Sequence, residues 1–155
     1  MNTQIIIKPA FCVIGKEGST ADGPGFVQRL WTEANAHFEE VAPLAKLDQT
    51  GVPAGFWGVM TDCSRRFLPW EEDFSRGLYL AGVECLDDAQ APEGWVKWEI
   101  PGFEAIQAEC TSPSLFADML AYLREQALEL AGAVQDFTDP KTGKNYMLFP
   151  IRRLS

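Results

Sequence analysis

Histidine is nearly absent from this sequence, and the single one, His37, lies on a helical pattern beside Glu39 and Glu40. A Ser-His-Asp set and a Cys-His pair are therefore poorly supported. The four cysteines, Cys12, Cys63, Cys85 and Cys110, never approach the close spacing of a zinc site, so no metal is expected. No apolar run approaches the roughly 18 residues of a membrane span, and no signal peptide is legible. No phosphate-cradling glycine loop is present either, and no cofactor is expected. Basic residues are scarce, 13 Lys and Arg against 22 Asp and Glu, for a net charge of −9. Phosphate neutralisation needs a basic face, and the only adjacent basic pairs are Arg65-Arg66 and Arg152-Arg153, so nucleic acid is excluded as a direct partner. These absences leave a reduced, cytoplasmic protein without a membrane partner as the expectation.

What is present is a globular composition. With 155 residues, 46% of them hydrophobic, and five tryptophans, the chain is sized for one domain with a real core. Its most informative stretch is Leu78–Leu86. In strand alternation, Leu80, Gly82, Glu84 and Leu86 share one face, and Tyr79, Ala81, Val83 and Cys85 share the other. Glu84 is a lone carboxylate in a run fit for burial, and an ionised carboxylate out of water needs a compensating group. The strand itself supplies no Lys or Arg. Glu84 is either a solvated or distantly paired carboxylate, with Arg65 and Arg66 as candidate partners, or a pocket group for a cationic ligand.

The remaining chain reads as alternating strands and two amphipathic helices. Gln4–Lys16 is strand-like with a break at Pro9. Asp22 or Gly23 caps a helix over 24–41, where Phe26, Leu30, Trp31, Ala34 and Phe38 recur at helical spacing. Gly55–Thr61 and Trp95–Ile100 are strands, and Pro113–Ala131 is a second helix ending near Gly132. Asp136–Asn145 is a polar loop. Tyr146–Ile151 is a closing strand that Pro150 places at a sheet edge.

The sequence also repeats itself. Pro9–Glu17 aligns with Pro101–Glu109 at an offset of 92 residues, with Pro, Phe, Ile and Glu coinciding. Duplicated β-α-β-β units would place two helices on one antiparallel sheet, an α+β architecture of two halves (about 1–90 and 91–155) with a pocket at their join. Trp57, Tyr79, Trp98, Tyr146 and Phe149 lie on strands flanking that seam, and Trp31 lies on the flanking helix. Aromatic faces attract cations and stack on planar ligands, so these are the candidate binding residues around Glu84. Trp70 and Trp95 are expected at the rim.

The segment Leu78–Glu84, followed after a Pro92/Gly94 spacer by Trp98-Glu99-Ile100-Pro101-Gly102-Phe103-Glu104-Ala105 and closed by Met147–Ile151, resembles the GyrI-like small-molecule-binding family. That family includes effector-binding domains of AraC- and MerR-type multidrug regulators and stand-alone versions. No helix-turn-helix is legible, so the stand-alone form is the expectation. The resemblance implies a central aromatic pocket for cationic or amphipathic ligands, with the family's pocket glutamate carried over onto Glu84. Some stand-alone relatives hydrolyse cyclopropane-bearing alkylating natural products through a water held by acidic and tyrosine groups. That alternative would make Glu84 the base and Tyr79 or Tyr146 the proton donor. Others inhibit gyrase, which would make this an inhibitor protein. The polar 136–145 segment departs from the family pattern.

Overall fold

The computed structural model describes residues 2–154. It contains one antiparallel sheet of eight strands: β1 (Thr3–Lys8), β2 (Phe11–Ser19), β3 (Phe56–Thr61), β4 (Leu78–Cys85), β5 (Val96–Ile100), β6 (Phe103–Glu109), β7 (Gln135–Thr138) and β8 (Asn145–Arg153). Two eleven-residue helices, α1 (Phe26–Ala36) and α3 (Leu115–Glu125), and a single turn α2 (Glu71–Phe74) complete it. The strand order is β1-β6-β8-β7-β3-β4-β2-β5. It reads the same from either end once β2-α1-β3-β4 is matched to β6-α3-β7-β8. These are the duplicated units, and Phe11 and Phe103 open the equivalent strands β2 and β6. Each unit's preceding strand crosses to the other unit: β1 pairs with β6, and β5 with β2.

Alternation sends side chains to two faces. On one face, α1 covers Tyr79, Ala81 and neighbouring residues, while α3 packs Leu115, Met119 and Leu123 on Ile106 and Phe149. The opposite face carries its own core of Phe11, Val13, Trp57, Leu80, Trp98, Phe103 and Leu148. Gly15 and Gly82 lie opposite each other in the β2–β4 ladder, where a Cβ on Gly82 would meet the Ile14 carbonyl. Glycine is required there for backbone approach, not for a turn.

The boundaries differ from the sequence reading in instructive ways. The first helix stops at Ala36 and continues as short 3-10 turns to Leu44, with Pro43 inside the last. Its N-cap is Gly25 at φ 79°, while Asp22 instead closes a capping box with Ser19 on a separate turn. The second helix ends not near Gly132 but at Glu125, with Gln126 as its C-cap and Ala127 just beyond at φ 56°. There Leu128 N–H reaches the Leu123 carbonyl at 2.9 Å and Ala127 N–H reaches that of Arg124 at 3.1 Å, a Schellman ending with alanine at the position glycine favours. Ala127→Gly should therefore stabilise the protein by about 1 kcal/mol, read as a raised denaturation midpoint; an unchanged midpoint would contradict this helix ending.

Pro150 does not mark an edge. β8 lies inside the sheet, between β6 and β7, and the true edges are β1 and β5. The β6–β8 register shifts here, so that Arg152 faces Glu104 and Pro150 faces Ala105. Proline's missing N–H falls at that bulge, the place an interior strand tolerates it. The segment read as a polar loop from Asp136 begins as strand β7, paired to both β3 and β8.

Candidate ligand cavity at the seam between the helices

The two units meet where β3 pairs with β7 over only three residues, Phe56↔Thr138, Trp57↔Phe137 and Gly58↔Asp136. Beyond them the buried Gln135 side chain substitutes for the ladder, accepting from Met60 N–H at 3.2 Å and donating to the Ala133 carbonyl. The helix-side face of this seam holds a cavity of about 210 Å³, bordered by Trp31, Gly58, Tyr79, Cys110, Asp136 and Tyr146.

Inside it runs a chain of hydrogen bonds. The Trp31 indole N–H donates to the Tyr79 hydroxyl at 3.1 Å, and that hydroxyl donates to Asp136 Oδ2 at 3.0 Å. Burial pushes the Asp136 carboxyl up to about 6, against the lowering effect of the Tyr79 bond. Burial, and then the Asp136 charge, hold the Tyr79 phenol well above its ordinary value. Among the described residues no basic side chain pairs with Asp136. A second cavity of about 200 Å³ follows along the same face. Met60 and Val134, two positions on from Gly58 and Asp136, line it together with Trp70, Phe74 and Phe116. Its walls are apolar.

Glu84 has a different setting. It is on the opposite face, 2% exposed, and already neutralised. The Lys8 ammonium lies 3.0 and 3.1 Å from its two oxygens, and the Trp57 indole N–H donates to Oε1 at 3.0 Å. Arg65, considered above as its partner, instead forms a two-pronged pair with Glu17 at 2.9 and 2.7 Å, and Arg66 donates to Ser64.

No protein-family model and no curated protein matches the sequence. Among solved structures, the chain superposes on EcmrR in its DNA complex with a TM-score of 0.67 at 12% identity, covering 99% of this chain and 58% of that one. On the separate EcmrR C-terminal domain the values are 0.63 and 11%, with 99% and 98% covered. On SAV2435 bound to tetraphenylphosphonium they are 0.66 and 14%, with 98% and 94% covered. The fold is GyrI-like. A hydrolase from Listeria innocua also aligns, at a TM-score of 0.51 and 13% identity over 97% of this chain and 91% of that one.

Within this GyrI-like fold the expected site residues separate. Trp31, Tyr79 and Tyr146 border the seam cavity. Trp57 and Glu84 touch each other on the other face, where Trp98 donates to Glu17 at 2.7 Å. Phe149 is buried against Phe116 in the α3 core and borders neither cavity. Trp95, expected at the rim, is buried with its N–H on Glu40. His37 is exposed at the end of α1, and among the described residues no helix is long and apolar enough to cross a membrane.

Asp136 and Cys110 escaped the sequence reading. A four-residue strand with polar residues at three of its positions offers too few periods to be told from a loop. Gly58 makes the arrangement possible, because a Cβ there would collide with the Tyr79 hydroxyl. Gly58→Ala should displace Tyr79 from Asp136 and cost about 1–3 kcal/mol, visible in the melting temperature and in Trp31 fluorescence. Wild-type values of both would mean that the hydroxyl does not sit over Gly58.

Proposed function

We propose that this protein binds amphipathic organic cations in the seam cavity, with Asp136 as the charge-recognising group. One observation carries the reading: a carboxyl buried beside aromatic side chains at the junction of the two units, with a hydrogen-bond donor but no cationic partner among the described residues. Such a group is costly to ionise in the empty protein and gains most from a ligand that brings a positive charge. Trp31, Tyr79 and Tyr146 offer aromatic surface beside it, and the apolar cavity at Trp70, Phe74 and Phe116 suits the hydrophobic part of the same ligand. The fold shared with SAV2435, whose structure holds tetraphenylphosphonium, supports the ligand class. In this reading the role expected of Glu84 belongs to Asp136, and residues 1–155 act as one domain whose halves build the site between them.

Titration with a planar cationic dye, followed by tryptophan quenching, tests the proposal. Saturable quenching that weakens sharply in Asp136→Asn supports it; identical curves for the two proteins refute it. Mass spectrometry of the recovered ligand is expected to show unchanged mass, whereas hydrolysis would add one water.

A further inference from the structure

β1 is an edge strand, and among the described residues no other strand pairs with its outer side. The Asn2 carbonyl accepts from Glu109 N–H at 3.3 Å, so by the alternation of an antiparallel ladder Gln4, Ile6 and Lys8 bond to β6. Thr3, Ile5 and Ile7 therefore turn their backbone N–H and C=O groups outward. The same three residues lie on the helix face of the sheet, opposite Ala108, Ile106 and Glu104. The α3 core takes in Ile106 but leaves Ile5 63% and Ile7 61% exposed, more than any other large apolar side chain among the described residues. Free backbone groups and uncovered isoleucines thus fall on one row.

The duplication supplies an internal control. At the 92-residue offset, Ile5 and Ile7 correspond to Lys97 and Glu99 on β5, the other edge of the sheet. Charged side chains on an edge discourage strand addition, and Lys97 also reaches the Asp87 carbonyl at 2.6 Å. β1 has no such guard. Residues 2–8 contain none of the chain's 22 Asp and Glu, and their one charge, Lys8, is turned to Glu84 on the opposite face. Glu104, beside Ile7, is paired with Arg152. In a protein of net charge −9, this row is surface on which a second copy can approach without meeting an unpaired carboxylate on the strand.

We propose that β1 is a self-association edge, to which a second copy of this chain adds its own β1 antiparallel about a twofold axis. The register follows from the row. Centring the axis on Ile5 sets Ile5 against the partner's Ile5, and Thr3 against the partner's Ile7. Each of these is a hydrogen-bonded pair made from the outward groups, and the isoleucines of both copies share one face. A slip of one residue would oppose outward groups to groups already bonded to β6. Among registers that match outward groups, this one uses all three residues of both strands. Both copies use the same edge, and β5 is guarded, so assembly closes at two instead of growing into a fibre. Pairing six-residue strands edge to edge buries less than the roughly 800 Å² per partner of a standard interface, so the dimer forms and dissociates with concentration.

The test needs no ligand, so its outcome is independent of cation binding at Asp136. Sedimentation velocity follows wild type and Ile5→Lys from about 10 μM to about 1 mM, the range of a weak interface. Wild type is expected to rise from the mass of one protomer towards two, more so in added salt, which screens the like charges of the copies. Ile5→Lys sets two ammonium groups face to face and should weaken association at least tenfold. Amide hydrogen exchange locates the contact. The Ile5 and Ile7 amides should exchange freely in dilute protein and gain protection with concentration, while those of Gln4 and Ile6, bonded to β6, stay protected throughout. A single protomer's mass at every concentration overturns the proposal and leaves the edge to a strand of another protein. A dimer that survives Ile5→Lys, or that leaves the Ile5 and Ile7 amides unprotected, overturns it too. Should Ile5→Lys fail to fold, amide protection in the wild type decides.

Discussion

Asp136→Asn is expected to remove at least nine-tenths of the affinity for a planar cation while making the empty protein more stable at neutral pH. The two effects have one cause. The folded protein holds the Asp136 carboxyl at about 6 by burying it, against an ordinary value of 3.8. The folded state therefore binds the proton more tightly than the unfolded chain does. Stability from this group is fully present below pH ~4 and is lost as pH rises through about 6. At 1.36 kcal/mol for each unit between those values, the loss at pH 7 is about 2–3 kcal/mol. Asparagine cannot ionise, so the variant keeps that stability and its profile flattens between pH 4 and 6. Cation binding has the opposite pH dependence, because the ligand selects the ionised form: affinity should fall about tenfold per pH unit below 6 and level off above it. Tyr79 and Cys110 also border the cavity, and burial raises both above their ordinary values, so both stay neutral across this range of pH. Chemical denaturation and dye titration at pH 5, 6 and 7.5 measure both profiles. A variant less stable than wild type at pH 7.5 would mean that Asp136 is a structural acceptor and not an unpaired charge.

Lys8→Met is expected to destabilise the protein by about 3 kcal/mol, the range for removing one partner of a buried pair. Methionine supplies a stem of similar length but leaves the Glu84 carboxylate, 2% exposed, with only the Trp57 N–H as partner. In a chain of this size the change corresponds to a fall of about 6–12 °C in melting temperature. Lys8→Met/Glu84→Gln should recover most of it, since the amide removes the orphaned charge and keeps an oxygen for the indole. If the double variant melts no higher than the single one, the loss comes from packing of the lysine stem and not from the uncompensated carboxylate.

Much of this molecule was legible in its residues. Alternation along Leu78–Cys85 placed Glu84 and Tyr79 on opposite faces, and the structure has them there. The 92-residue repeat placed Phe11 and Phe103 at equivalent strand starts. Periodicity found both helices but overran their ends, because one stops just before an alanine in left-handed conformation, a position at which only glycine would have been read as a signal.

What the sequence determined by itself was therefore local: which segments alternate with period two, which with period 3.6, and which carboxylates interrupt apolar runs. Which of those carboxylates is free to meet a ligand was decided by tertiary structure. Glu84 is matched by a lysine 76 residues away in sequence, brought to it only because β1 crosses to the other unit and the sheet curls. Asp136 meets no basic side chain among the described residues because β7 inserts at the seam beneath two helices, facing Trp31 and Tyr79. Charge balance in a protein interior depends on distance through space, and spacing along the chain fixes that distance only within a single helix or strand.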